Sequence, residues 1–200
     1  MSCSPLTRAS SLSNELGYFY PSYEELAENT DIKHAIEGIK QEYRAQIQRI
    51  LDFGVQPTHV ETHMTPEHQW EEDDTFKPIV QAAEEVAAEF GLIYTYAFKN
   101  GKSKYFNDSF TLTHLNFEQT TERLASYGDG IYHLVCHCAL NNEEQNALAL
   151  PHEPAYSWAA KCRQTDLDIV SSLEFKTFLE ENQFTLINIT QLLELHGLNN

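Results

Sequence analysis

The chain has 200 residues, 42% hydrophobic and 12% aromatic, which places it among globular proteins of about one domain rather than disordered chains. Thirteen Lys+Arg against thirty Asp+Glu give a formal charge of −17, a surface that repels nucleic acid and anionic membranes yet accepts a neutral ligand such as a sugar. No stretch approaches the roughly 18 apolar residues of a membrane span, and the Ser-rich N-terminus lacks the apolar core of a signal peptide, so the cytoplasm is the expected compartment.

Residues 1–22 read as an irregular arm at the start of one domain spanning residues 1–200. From Asp31 the pattern turns helical. Ile36, Ile39, Tyr43, Ile47, Ile50 and Leu51 recur at spacings of three and four, and Gly54 marks the stop. "VQPTHVETH" reads as a short strand. "KPIVQAAEEVAAEF" reads as a helix with Pro78 in its first turn and Gly91 as its C-cap. "LIYTYAF" follows as a strand and "FTLTHL" as another, with Asn116 capping a helix through "FEQTTERLASYG". "GIYHLVCHCAL" is the most apolar strand. A long loop from Asn141 to about Ser157 precedes a helix near Asp166 to Asn182, and "FTLINI" closes the chain as a strand. Strands alternating with helices imply βαβ units, a mostly parallel sheet, and strand-end loops gathered on one face.

Four cysteines, Cys3, Cys136, Cys138 and Cys162, form no CxxC pair and are expected to be buried thiols in a reducing compartment.

Two stretches carry chemistry. In "PTHVETHMTPEH" a strand would turn His59, Glu61 and His63 to one face, which suits either metal ligation or a polar strand end. The order HxExH is not HExxH, so the helical zinc-protease motif is excluded. In "YHLVCHCAL" His133, Val135 and His137 alternate onto one face. A histidine at the C-terminal end of a buried parallel strand sits where α/β folds place active sites, although from the residues alone a hydrogen-bonded core histidine is the favoured reading. His152 and Glu153 lie in a loop that either covers a site or only connects. Arg163 either holds a carboxylate or is an ordinary surface arginine. His68 and the acidic run Glu71 to Asp74 read as a solvated loop.

Three stretches, in order and in register, resemble the YdjC family of chitooligosaccharide deacetylase-like proteins. "YRAQIQRILDFGVQPTHVETHM" resembles the family's helix leading into a PTHxDSH strand. "YHLVCHC" resembles its strand ending in a Cys-His-Pro turn. "KCRQTDLDIVSSLEFKTFLEENQFTLINI" resembles its Arg-led helix and final strand.

The resemblance implies an incomplete, distorted (β/α) barrel and metal-dependent removal of an acetyl group from an N-acetylated sugar or chitooligosaccharide. The cofactor would be a divalent cation, Mg or Zn, that activates water and polarises the acetamide. By position, His63 would be a metal ligand and His137 the histidine near the leaving amine. His59 and Glu61 would support the site, with Glu61 beside the catalytic groups, and Arg163 would hold a carboxylate. His152 would lie toward the substrate.

The family's opening strand, ending in Asp-Asp, and its later Gly-x-His turn have no counterpart in this sequence, so the site is expected to be incomplete. Glu61, Thr62 and Cys138 also stand where the family has Asp, Ser and Pro. The alternative implied is an inactive remnant that folds and binds sugar or a partner without turnover. Open sheet edges would then favour pairing with another chain, including a homo-oligomer.

Overall fold

Apolar spacing builds the first helices. In the computed structural model, which describes residues 3–7, 10–62, 77–96, 98–99, 102–147 and 159–198, Ile32, Ala35, Ile39 and Ile47 share the buried face of α2, Ile32–Asp52. Asp31 caps it by accepting the Lys33 N–H at 3.0 Å. Gly54 ends it at φ +78°, a left-handed conformation that only a residue without Cβ adopts freely. An additional short helix, α1 (Tyr23–Asn29), precedes it, capped by Ser22 on the Glu25 N–H. Helix α3, Lys77–Glu89, turns Ile79, Ala82, Ala83, Val86 and Ala87 inward, and its alanines let α2 pack closely. Lys40 meets Glu85 at 2.6 Å, and Arg44 grips Glu89 through bonds of 2.6 and 2.7 Å. Such solvent-facing pairs set the helix register more than they stabilise the fold.

The chain divides into two compact units, Met1–Tyr105 with Ile189–Asn200, and Phe106–Asn188. In the first, Leu12, Ile32, Ala35, Ile39, Ile79 and Ala82 form one cluster, and Ala83, Ala87 and Tyr94 another. Strand β1, His59–Val60, pairs in parallel with β2, Ile93–Tyr94. A hairpin of β3 (Phe98–Lys99) and β4 (Lys102–Ser103) follows.

In the second unit β5, Asp108–Thr111, pairs in parallel with β6, Tyr132–Val135. Helix α4, Phe117–Ala125, crosses between them, capped by Asn116 as the sequence suggests and closed into a capping box by Gln119. Phe110, Leu112, Leu124, Ile169 and Phe175 form its core. Helices α5 (Glu143–Ala147), α6 (Ala159–Ser171) and α7 (Leu173–Glu181) complete this unit, and α8 (Ile189–Leu195) belongs to the first. No helix among the described residues is long and apolar enough to cross a membrane.

The class is α/β with mostly parallel pairing, as expected, and among the described residues the strands form three separate pairs rather than a closed barrel. Several expected elements differ. Each strand is shorter than its apolar run, because the ladder stops where the neighbouring strand stops. The expected helix from Asp166 begins earlier, at Ala159, and breaks at Ser172, whose hydroxyl caps α7 by accepting the Phe175 N–H. "FTLINI" forms no strand: Gln183 turns at φ 60°, Phe184 closes onto Leu179, Leu186 is exposed, and Ile189 already begins α8. The cysteines are all free, but Cys3, Cys136 and Cys138 are exposed rather than buried, because β6 ends at Val135 and leaves the last two beyond the sheet.

The arm is irregular yet fastened. Leu12 enters the core, Ser13 bridges Phe19, and Glu42, 3% exposed, accepts from Leu6 N–H, Thr7 N–H and the Thr7 hydroxyl at 3.0, 2.9 and 2.7 Å. Burial opposes the charge on Glu42, but these bonds and one from Gln46 outweigh it and hold the carboxyl below its ordinary 4.5. Its stabilisation is therefore fully present above that value and is lost as pH falls through the lower folded one. Glu42→Ala should cost about 2–3 kcal/mol at neutral pH, read from urea denaturation, because buried donors lose their acceptor. The gap between parent and variant should narrow as the pH is lowered below the ordinary 4.5.

Candidate functional site

Parallel strands deliver their C-terminal ends to a common edge, and polar residues stand just past both pairs. In the first unit Thr95, one residue beyond β2, continues the ladder by donating its N–H to Val60 O at 3.1 Å. Its hydroxyl, on a residue only 1% exposed, donates to Glu61 Oε1 at 2.8 Å. Glu61 is thereby held one residue past the end of β1. Thr62 Oγ1 meets Tyr94 OH at 2.8 Å, and His59 Nδ1 lies 2.9 Å from Thr58 Oγ1. His59 and Glu61 therefore stand at one strand edge, although β1 is too short for a three-residue alternating face. His63 and His152 lie outside the described residues.

In the second unit the two ends of the β5–β6 pair differ in kind. At the N-terminal end Asp108 accepts from Tyr127 OH at 2.5 Å and Arg123 Nη2 at 3.2 Å, while the Arg123 guanidinium lies 4.3 Å over the Phe110 ring. This end is closed by its own partners. His133 fits the same structural role: Ser109 Oγ lies 3.1 Å from its Nδ1 and Phe106 stacks on its ring at 4.7 Å.

The C-terminal end carries His137. Its Nδ1 is 3.3 Å from Thr113 Oγ1, and its backbone N–H donates to Asp166 Oδ2 at 2.9 Å. Two residues on, the Ala139 N–H donates to Arg163 O at 3.3 Å, and the Asn141 N–H to Gln164 Oε1 at 2.9 Å. Alternate N–H groups beyond β6 are thus taken up by α6, which replaces a strand partner with a helix. Arg163 and His137 are brought to this edge together. The contact Arg163 makes there is through its carbonyl, and among the described residues its guanidinium holds no carboxylate.

The sequence gives little sign of Thr95, Thr113 or Asp166. Asp166 was nonetheless detectable, because it lies one helical turn from Ile169 on the buried stripe of α6, where an acidic residue is out of place. His114, with φ 69° and its Nδ1 3.5 Å from Cys162 Sγ, occupies a left-handed position that non-glycine residues seldom take.

Among the described residues no group of three or more His, Cys, Asp or Glu side chains gathers to hold a metal ion. The described donors do not by themselves match a catalytic divalent-cation site, which needs about three protein ligands. What this edge can do is hold a histidine in a fixed place for proton transfer. The thiols beside it are poor nucleophiles: desolvation of its sulfur, with Cys138 and Asp166 adding, pushes Cys136 up to about 11, and Cys138 moves the same way. Alkylation of Cys136 by iodoacetamide, followed by peptide mass mapping, should still rise about tenfold per pH unit between pH 8 and 10.

No curated protein matches the chain. Among solved structures, a protein of Enterococcus faecalis provisionally named for cellobiose-phosphate cleavage matches with a TM-score of 0.68 at 17% identity, over 94% of this chain and 72% of its own. That likeness shows a shared α/β fold, consistent with the expected incomplete, distorted barrel. The profile of the YdjC-like proteins matches residues 1–181, and the chain belongs to the YdjC-like family.

Proposed function

We propose that this protein is a carbohydrate deacetylase-like hydrolase that removes an acetyl group from an N-acetylated sugar or chitooligosaccharide. Its family is generally carbohydrate deacetylase-like. The observation that carries the reading is His137, held past β6 by the bond from its amide to Asp166, with Nδ1 against Thr113. With Nδ1 so engaged, Nε2 is the nitrogen that hands a proton to the departing amine. Glu61, fixed by Thr95, is the carboxylate of the second edge, and His59 lies beside it. Arg163 supports the His137 segment, and His152 is assigned to the substrate.

His63 is the residue this reading gives to a divalent cation, magnesium or zinc. The described residues supply no complete ligand set for it, so the proton-handling roles are assigned without it. A charge of −17 favours a neutral N-acetylated sugar over a sugar phosphate, a nucleic acid or an anionic membrane.

A second reading, a protein that binds sugar without turning it over, is favoured by that incomplete ligand set. Acetate release from diacetylchitobiose with added Mg or Zn separates the two. His137→Ala should lower kcat by about 100-fold or more while leaving KM within a few-fold. His63→Ala should abolish metal-dependent acetate release. Calorimetric binding of the sugar with no acetate released by the parent would establish the second reading instead.

A further inference from the structure

Asp166 is 1% exposed, in a helix whose other buried residues are Ala160 and Ile169. One oxygen, Oδ2, accepts the His137 N–H at 2.9 Å, while the other, Oδ1, has no hydrogen-bond partner among the described residues. A buried carboxylate satisfied on one side only is destabilising, since burial costs the charge its hydration and a single bond returns part of it. A purely structural need at this position would be met by an uncharged acceptor. The acceptors used by the neighbouring amides are of that kind, a helix carbonyl for Ala139 and a glutamine side chain for Asn141.

The His137 amide is also the first of the three held by α6 beyond the end of the strand ladder at Val135. A charge-assisted bond is shorter and stronger than a neutral one, and so restricts this peptide more tightly.

We propose that Asp166 is a positioning residue that acts through the His137 peptide, fixing where the imidazole sits, and is retained at the expense of stability. The proposal rests on the reading of His137 as the proton donor of the site. It makes Asp166 neither a substrate contact nor a metal ligand. Its influence on Cys136 and Cys138, whose thiols it helps to keep protonated, comes from the same placement.

The test uses the full chain with Asp166→Leu, Asp166→Ala and Asp166→Asn. Leucine and alanine remove the acceptor, and the alanine variant serves if leucine does not fold. Asparagine keeps an acceptor of the same shape. In the leucine or alanine variant, hydrogen exchange at the His137 amide, followed by NMR, should speed up about 100-fold. In the same variant kcat for acetate release should fall about 100-fold with KM within threefold, as expected for a displaced catalytic group. The melting temperature of the Asp166→Asn variant, which keeps the acceptor and removes the half-satisfied charge, should match or exceed the parent's. Asn should recover the exchange protection and bring kcat to within about tenfold of the parent.

Unchanged exchange at His137 in the leucine and alanine variants would overturn the proposal. So would unchanged kcat, or a lowered melting temperature in all three variants with kcat and KM deteriorating together. If the parent releases no acetate the deacetylase reading fails, and amide exchange with the melting temperatures still decides whether Asp166 fixes His137.

Discussion

A parallel ladder supplies hydrogen bonds only as far as both strands run, and every backbone N–H beyond it must find an acceptor elsewhere. This constraint governs the chemistry-bearing edges. The β1–β2 ladder is two residues long, and it is extended by Thr95, whose N–H and hydroxyl are both used, one for the backbone of Val60 and one for Glu61. The β5–β6 ladder ends at Val135, and α6 takes over for the amides of His137, Ala139 and Asn141. The same accounting that completes the backbone therefore also places the polar side chains.

That requirement explains the asymmetry between the ends of the β5–β6 pair. At the N-terminal end Asp108 is opposed by burial, but bonds from Tyr127 and Arg123 hold its carboxyl below its ordinary value. Tyr127 in turn stacks on Tyr132 with ring centroids 4.1 Å apart, so the groups there satisfy one another. At the C-terminal end the pattern is different. His114 takes a left-handed backbone conformation, and Asp166 keeps an oxygen without a partner among the described residues. Strain and unsatisfied polarity concentrate at functional edges because stability there is traded for placement. One end of this sheet is closed by its own partners, and the other leaves a buried carboxylate oxygen without one among the described residues.

Legibility from sequence tracked the range of the interactions. Helices α2, α3 and α4 were readable with their ends, since apolar spacing, Asn116, Gly54 and Gly91 act over one or two turns. Strands were readable as places but not as lengths, because a strand exists only opposite a partner that the local pattern does not reveal. "FTLINI" shows the limit. Its apolar alternation is sound, but Gln183 and Phe184 bind it to the end of α7, and no strand among the described residues pairs with Thr185, Leu186 or Ile187. At the site, His137 and Glu61 were legible as residue types at strand ends. Thr95 was not, and Asp166 only as an acidic residue on an apolar stripe, because their roles arise from contacts 34 and 29 residues away in the chain.

Membership of the YdjC-like family adds to this without replacing it. The family match spans residues 1–181, so helix α6 and its three anchoring residues, Arg163, Gln164 and Asp166, fall inside it, whereas α8 falls outside. Glu61 and His137 belong to different compact units, and each is held by partners within its own unit. Each edge can therefore keep its local order whatever ligand set is finally assembled around it. A donor set that falls short of a metal site among the described residues and an ordered histidine are compatible. Metal affinity depends on how many ligands converge, whereas proton transfer depends on how firmly one imidazole is held. The anchoring of His137 lies within residues 106–188 and so does not depend on which ligands converge.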